Sequence, residues 1–325
     1  MRVLIIGGAG MIGRKLAARL VRDGHIAGQA IDSLTLHDIV PATVPEDAAV
    51  PVKAETGDLP APGEAARLFA GKPHLVFHLA AVVSGQAEQE FDLGYRINMD
   101  GTRAVLEAAR AAGNCPRVIF ASSLAAFGAP LPDPIGDEYI TAPLTSYGTQ
   151  KAIGELLISD YTRKGFVDGL ALRLPTICVR PGKPNAAASG FFSAIIREPL
   201  AGQDAVLPVS DDVMHWHASP RAAVGFLLHA AALDGEKVGA RRALTLPGVA
   251  VTVGGQIAAL RKIAGDKVAA RIRRAPDPFV QRIIAGWPRR FDTRRALDLG
   301  FEAESSFEDI VRVHIEDELG GVVPS

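Results

Sequence analysis

Three residue types near the middle of the chain have the chemistry of a proton-transfer site. Tyr147 and Lys151 are four positions apart in a stretch with helical spacing, so their side chains share one helix face. A phenol ionises at about pH 10, and a neighbouring ammonium group favours its ionised form. Ser122 and Ser123 end an apolar run that predicts a strand, and a serine hydroxyl can hold the oxygen that reacts. We therefore predict that Tyr147 is a general base assisted by Lys151 and this serine pair.

The first residues have the pattern of a phosphate-binding turn. Gly7, Gly10 and Gly13 in VLIIGGAGMIG lie between a short apolar run and an amphipathic stretch. Glycines there permit a tight turn and a close approach of the backbone to a pyrophosphate, which the first N–H groups of the helix then bind. The sequence therefore predicts a dinucleotide site that includes Met11 and Ile12. A positively charged oxidised nicotinamide would also favour the ionised form of Tyr147.

A dinucleotide site also needs an acidic residue at the end of the second strand, where it accepts hydrogen bonds from the adenosine ribose. Asp32 precedes the predicted strand at residues 34–39, and Asp38 follows its apolar part, so position favours Asp38. Its charge would repel a 2′-phosphate and no arginine adjoins it, which predicts NAD rather than NADP. Asp58 either meets the adenine or is an exposed loop acid.

The elements that must position these residues alternate between strand and helix. Strands are predicted at residues 3–6, 34–39, 52–54, 75–79, 118–121 and 169–174, and helices at 12–20, 65–69, 102–112 and 147–161. This alternation predicts an α/β fold with a Rossmann-type doubly wound parallel sheet in residues 1–175. Residues 176–325, with irregular Pro-rich segments, are predicted to form a smaller mixed substrate lobe.

Composition excludes several classes of protein. The chain has 325 residues, of which 48% are hydrophobic, and its 35 basic and 36 acidic residues give a net charge of -1, which argues against nucleic-acid binding. No apolar run is long enough to span a bilayer, and the N-terminal run is too short for a signal peptide, so we expect a cytoplasmic protein. The two cysteines, Cys115 and Cys178, lack ligand spacing, and His215 with His217 lacks a third ligand, so no metal is expected.

The order of these motifs resembles the extended short-chain dehydrogenase/reductase family, to about residue 230. The resemblance rests on Gly7-x-x-Gly10-x-x-Gly13, Asp58-Leu59, His78-Leu79-Ala80-Ala81, Asn98, Ser122-Ser123-x-x-x-Phe127-Gly128, Tyr147-x-x-x-Lys151 and Arg173-x-Pro175.

The resemblance implies roles for several of these residues. Ser123 falls on the catalytic hydroxyl and Ser122 beside it, and Lys151 also holds the nicotinamide ribose that Tyr147 adjoins. The resemblance further implies that Asn98 supports a water chain at the cofactor and that the segment at Pro175 touches the nicotinamide amide. Further cofactor contacts are implied for Asp58, Leu59, Leu79, Ala80 and Ala81. Relatives also imply a homodimer through the helices at residues 102–112 and 147–161.

Family membership leaves three chemistries to compare. Dehydratases place an Asp-Glu pair beside the catalytic hydroxyl, and this chain has Leu124-Ala125 there. Sugar-nucleotide epimerases usually have Tyr before Gly128, where this chain has Phe127. This difference disfavours epimerisation, which is kept as an alternative. Several segments, among them SYGTQKAIGELL, resemble the family's dehydrogenases of a four-carbon sugar acid, which oxidise D-erythronate at C2 to the 2-oxo acid. Short-chain L-threonine dehydrogenases are a second alternative.

A small carboxylate substrate requires a cation and hydroxyl partners in its pocket. Besides Ser123 and Tyr147, the candidates are loop residues predicted to face the strand ends: Ser84, Arg180, Asn185 and His217. For each cation, a solvated surface charge remains the alternative.

Overall fold

Strands and helices alternate from the first residues of the chain onward. The computed structural model describes residues 1–46, 48–182 and 189–323. In chain order the strands are β1 Arg2–Ile6, β2 His25–Ile26, β3 Gln29–Ala30, β4 Ser33–Asp38, β5 Val52–Thr56, β6 Leu75–His78, β7 Arg117–Ser123, β8 Ile135–Gly136, β9 Asp168–Leu174, β10 Thr176–Ile177, β11 Ala205–Leu207, β12 Met214–Ala218, β13 Ala243–Thr245, β14 Val249–Thr252, β15 Ile272–Arg274 and β16 Phe291–Asp292.

The helices of the structure include those predicted at residues 12–20, 65–69, 102–112 and 147–161. They are α1 Met11–Asp23, α2 Glu64–Phe69, α3 Ser84–Gln89, α4 Phe91–Gly94, α5 Gly101–Ala112, α6 Ser146–Arg163, α7 Gly190–Leu200, α8 Pro220–Ala232, α9 Gly235–Val238, α10 Val253–Ala264, α11 Asp266–Ala269, α12 Pro278–Ile284, α13 Arg294–Asp298 and α14 Phe307–Glu318. A π-helical turn covers Tyr95–Asp100, and a 3-10 turn covers Leu124–Ala126.

The main sheet has the order β13-β9-β7-β6-β1-β4-β5, with neighbouring strands parallel. The chain proceeds outward from β1 to β4 and β5, then returns to β6 on the other side of β1. The carboxyl ends of β1 and β6 therefore form the switch point, where ligands bind in open α/β sheets. The predicted doubly wound parallel sheet is confirmed.

Helices cover both faces of this sheet. Apolar side chains of α1 and α8, among them Leu16, Leu20 and Leu227, join one core with the buried residues of β4. On the other face, α2, α5 and α6 pack against residues such as Val118 and Phe120 of β7. Burial on both faces explains why β1 and β6 are almost continuously apolar rather than alternating.

The seventh strand of the main sheet comes from late in the chain. β13 pairs with β9 through Ala243↔Ala171, Leu244↔Leu172 and Thr245↔Arg173. It covers an edge of β9 that would otherwise present unpaired backbone groups. The main sheet thus draws on both sides of the predicted domain boundary at residue 175.

The later part of the chain has a second core. It is formed by α7, α10 and α14 with the small sheets β10-β12-β14 and β11-β15. The sequence MHWHASPR contains strand β12, which lies between β10 and β14, and the start of α8. Both histidines of this segment, His215 and His217, are buried in the structure. Across the described ranges, no helix has the length and hydropathy to cross a membrane.

Candidate active site

The glycine turn joins β1 to α1 at the switch point of the sheet. Gly7 has φ +96°, and a Cβ on it would stand 2.6 Å from the backbone nitrogen of Ala80. A Cβ on Gly13 would stand 2.1 Å from the carbonyl oxygen of Gly7, so neither position admits a side chain. Gly10 precedes α1 and has no side chain to cap it, which leaves the first N–H groups of the helix available to an anion.

A cleft of about 410 Å3 opens along this turn. Its walls include the predicted cofactor residues Gly7, Gly10, Met11, Ile12, Gly13 and Leu79, together with Val83, Arg180, Pro181, Gly190 and Arg197. Because Gly7 and Gly13 keep the turn free of side chains, the backbone fits the pyrophosphate of a dinucleotide. Such a ligand would be held by the N–H groups at the start of α1.

The carboxylate of Asp38 lies beside the glycine turn. Its Oδ2 accepts a hydrogen bond from the backbone N–H of Ala9 at 2.9 Å, and its Oδ1 accepts one from Ile39 at 2.8 Å. The competing Asp32 instead accepts a hydrogen bond at 2.8 Å from the amino group of Met1, at the opposite end of the strand. This placement supports Asp38 as the residue beside the adenosine ribose.

Replacing Asp38 by alanine is expected to weaken the preference for NAD over NADP. Loss of the Asp38 carboxylate removes its repulsion of the 2′-phosphate of NADP, which is worth a few kcal/mol. The ratio of the kcat/KM for NAD to the kcat/KM for NADP should therefore fall about tenfold or more. Steady-state kinetics with each cofactor measures that ratio. Asp32→Ala is the matched control, and unchanged selectivity in Asp38→Ala would assign the ribose to another residue.

Asp58 and Leu59 have different surroundings. Asp58 is partly exposed and forms an ion pair with Arg96 at 2.7 Å. Leu59 is 5% exposed and packs in the core beside Gly101. Of the two, only Asp58 thus presents its side chain to solvent, and its contact with the adenine stays a prediction.

The segment after β6 forms the other side of the switch point. The backbone N–H groups of Leu79 and Ala80 both donate to the carbonyl oxygen of Ile6, and Ala81 follows directly. Asn98, which lies in the π-helical turn, accepts a hydrogen bond from Val82 N–H and donates one to Val82 O. It therefore holds this segment in place through the backbone.

Tyr147, Ser123 and Lys151 come together at the carboxyl end of β7. The hydroxyl of Thr145 accepts a hydrogen bond from Gly148 N–H at 3.1 Å and caps α6. A Cβ on Gly148 would stand 2.0 Å from Ala125 O, so this glycine lets the helix start close to the end of β7. Ser123 then lies close enough to Tyr147 for its side chain to act on the pKa of the phenol.

Lys151 lies beneath the tyrosine ring. Its Nζ is 5.6 Å from the centroid of the Tyr147 ring, 4.7 Å from that of Phe120, and donates a hydrogen bond to Ala121 O at 2.7 Å. The structure therefore places Tyr147 and Lys151 on one face of α6, as their spacing in the sequence predicts.

Burial shifts the pKa values of Tyr147 and Lys151 in opposite directions. It raises the pKa of Tyr147 to about 12, while the hydrogen bond from Ser123 acts to lower it. It lowers the pKa of Lys151 to about 8, and the charge of Glu155 acts to raise it. Both shifts arise because a low-dielectric surrounding disfavours the charged form. In the chain alone, burial therefore dominates the pKa of Tyr147, and the lowering expected from Lys151 together with an oxidised nicotinamide stays a prediction.

The two serines of the predicted pair face different surroundings, because successive side chains of a strand point to opposite faces. The hydroxyl of Ser122 is buried and donates a hydrogen bond to Glu155 at 2.5 Å. Glu155 also forms a buried ion pair with Arg173 at 2.7 Å. Ser122 thus belongs to a polar network behind the site, while Ser123 faces Tyr147. This placement contradicts a catalytic role for Ser122.

The predicted substrate residues are spread over several places. Ser84 is the first residue of α3 and follows Val83, which lines the cleft. Arg180 lines the cleft beside the glycine turn, and the buried Pro175 joins β9 to β10. Asn185 lies outside the described residues.

His217 lies in the second core rather than in the cleft. It is 0% exposed, its Nε2 is 2.9 Å from the side-chain amide of Gln256, and its ring meets Phe192 and Phe307 edge-on. Burial holds the pKa of His217 well below its usual value. A fully buried neutral ring offers no surface to a carboxylate, so this placement contradicts the prediction that His217 binds the substrate.

Sequence reasoning missed two residues near the site. Arg197 lines the cleft from α7, and Glu155 extends the Tyr147–Lys151 spacing by one more helical turn. The repeated spacing of four could have indicated Glu155, whereas nothing local distinguishes Arg197 from a surface arginine. Among the residues that the structure describes, no group of three or more His, Cys, Asp or Glu could hold a metal ion.

The chain is similar to a known family of enzymes. Residues 3–218 match the sequence model of the NAD dependent epimerase/dehydratase family. A protein of Cupriavidus necator named D-erythronate dehydrogenase is 50% identical, with 98% of each chain covered. A protein of the same name from Haemophilus influenzae is 42% identical over 98% of this chain and 100% of its own length.

A solved structure is also very similar. A crystal structure from Agrobacterium tumefaciens, described as a nucleoside-diphosphate-sugar epimerase, superimposes with a TM-score of 0.98 at 59% identity. The match covers 100% of this chain and 96% of that one. The resemblance first noticed in the motifs is thereby confirmed over the full chain.

Proposed function

The chain belongs to the NAD-dependent epimerase/dehydratase family, and from this membership we propose that it oxidises D-erythronate at C2 to 2-oxo-tetronate. It is an NAD-dependent oxidoreductase. The choice of substrate rests on the similarity to two proteins named D-erythronate dehydrogenase, which covers 98% of this chain, including residues 176–325 almost entirely. The positions of Ser123, Tyr147 and Lys151 support the chemistry.

NAD, when bound, would supply the acceptor for the hydride of the substrate C2. Tyr147 takes the proton of the C2 hydroxyl, and Ser123 holds the same oxygen by a hydrogen bond. Because burial raises the pKa of Tyr147 to about 12 in the chain alone, its phenolate requires positive charge nearby. Lys151 and the oxidised cofactor would supply that charge.

The residues beside Ser123 argue against dehydration. Elimination of water requires a second acid and base next to the catalytic hydroxyl. Leu124 and Ala125 occupy those positions in the 3-10 turn, and Leu124 is 4% exposed in an apolar cluster with Phe127. The turn therefore provides no group that could protonate a leaving hydroxyl.

Epimerisation of a sugar nucleotide is the second candidate. It is favoured by the 59% identity to the structure described as a nucleoside-diphosphate-sugar epimerase. An epimerase would return the hydride to its substrate and keep NAD tightly bound, so it would show turnover without net reduction of the cofactor. A dehydrogenase releases NADH in every cycle.

A substrate panel separates these candidates. The purified protein, with NAD in excess, is offered D-erythronate, L-threonate, L-threonine or UDP-glucose, and NADH is followed by its absorbance. We expect NADH formation with D-erythronate at a kcat/KM well above that for the other compounds, and a 2-oxo acid as product. Samples without substrate are the control. Absence of NADH with every acid would overturn the proposal, and conversion of UDP-glucose without net NADH would favour the epimerase.

The homodimer is also proposed rather than observed. α5 and α6 lie next to each other on one face of the main sheet. Leu156 of α6 is 71% exposed, although it is a large apolar residue on a helix. An exposed apolar side chain of this kind supports pairing through α5 and α6.

A further inference from the structure

Two arginines of the later part of the chain line the cleft together with the glycine turn. Arg180 follows β10, and Arg197 lies near the end of α7. Both side chains line the same cleft of about 410 Å3 as Gly7, Gly10 and Gly13. The cleft therefore combines the start of α1 with two guanidinium groups from a different part of the fold.

The positive charges of Arg180 and Arg197 are not equally neutralised by carboxylates. Arg197 forms an ion pair with Glu198 at 2.5 Å. Arg180 has no carboxylate partner within the described ranges, and residues 183–188 contain no acidic residue. Burial, together with the nearby charge of Arg197, lowers the pKa of Arg180. A positive charge in excess at a partly buried place is costly unless an anion joins it.

Several hydrogen bonds hold Arg180 in position. Its backbone N–H donates to the hydroxyl of Ser193 at 3.0 Å, and its Nη2 donates to Ser189 at 3.2 Å. Arg197 donates from Nη1 to the carbonyl oxygen of Arg180 at 2.7 Å. The backbone of Arg180 is thus held at two atoms and its guanidinium at one, which reduces the entropy lost when a ligand binds.

The position of the arginines in the cleft decides which anion they meet. The cleft that they line contains the phosphate-binding turn, whereas Ser123, Tyr147 and Lys151 are not part of its walls. We propose that Arg180, supported by Arg197, binds the pyrophosphate of NAD opposite the start of α1, and not the carboxylate of the substrate. The pyrophosphate would then be bound on one side by the first N–H groups of α1 and on the other side by the guanidinium of Arg180, which follows β10. The proposal concerns the cofactor and is independent of which acid the protein oxidises.

Ligands with and without a pyrophosphate test this proposal. The Arg180→Gln variant of the full chain is titrated with NADH by fluorescence, and ADP-ribose and adenosine are measured as competitors. We expect the dissociation constants of NADH and ADP-ribose to rise about tenfold or more, as for loss of a charged hydrogen bond, and that of adenosine to stay unchanged. Arg180→Lys should recover part of the loss, because it keeps the charge without the fork of donors.

Arg163→Gln, which removes an exposed arginine of α6, is the matched control and should change none of these constants. The KM for the sugar acid at saturating NAD should also be unaffected in Arg180→Gln. If ADP-ribose binding is unchanged while that KM rises, Arg180 binds the substrate carboxylate and the proposal is wrong. Equal weakening of ADP-ribose and adenosine would also overturn it, since that indicates a general structural defect.

Discussion

Replacing Tyr147 by phenylalanine is expected to lower kcat by about two to four orders of magnitude, which is the usual contribution of a positioned general base. The ring and its packing against Lys151 remain, so the dissociation constant for NADH should change little. The variant removes only the oxygen that Ser123 contacts and that would accept the substrate proton. Steady-state kinetics with D-erythronate and fluorescence titration with NADH measure the two quantities.

Tyr161→Phe is a close control for this experiment. Tyr161 lies on the same helix α6, and burial likewise raises its pKa to about 12, but its hydroxyl hydrogen-bonds to Glu107 of α5. We expect its kcat to equal that of the unchanged protein. Full turnover in Tyr147→Phe would instead support a protein that binds the dinucleotide without using this tyrosine, such as a redox sensor.

Replacing Arg173 by methionine is expected to reduce the free energy of unfolding by about 3–5 kcal/mol, because it leaves a buried carboxylate without its partner. Arg173 and Glu155 have side chains that are 8% and 5% exposed. Glu155 accepts three hydrogen bonds from the guanidinium in addition to the one from Ser122. Urea denaturation of each variant gives the free energy and the slope of the transition.

A second substitution distinguishes the buried charge from general loss of packing. In Arg173→Met with Glu155→Leu, the charge is gone from both partners, so much of the lost stability should return. The exposed pair of Arg163 with Asp160 on the same helix provides the comparison, and Arg163→Met should cost no more than about 1 kcal/mol. A loss below that value in Arg173→Met would show that the buried network contributes little to stability.

The network of Ser122, Glu155 and Arg173 shows what the spacing of residues in the sequence does not predict. By their place at a strand end, Ser122 and Ser123 are equivalent hydroxyls, and only the family resemblance singled out Ser123. Only the position of α6 decides that Ser122 meets Glu155 and Ser123 meets Tyr147. Likewise, the opposed pKa shifts of Tyr147 and Lys151 depend on how deeply both are buried, which their spacing does not report.

The sequence by itself determined the features that depend on neighbouring residues. These are the glycine turn after β1, the Tyr147–Lys151 face of α6, Asp38 at the end of β4 and the alternation that makes a parallel sheet. Each follows from steric limits or helical periodicity within a few residues.

Only the tertiary structure decided the features that join distant segments. It placed Arg180 and Arg197 beside Gly10, buried His217 in the second core, and completed the main sheet with β13. Such contacts arise because apolar faces far apart in the chain are buried against one another, and local patterns show that a face is apolar without showing what covers it.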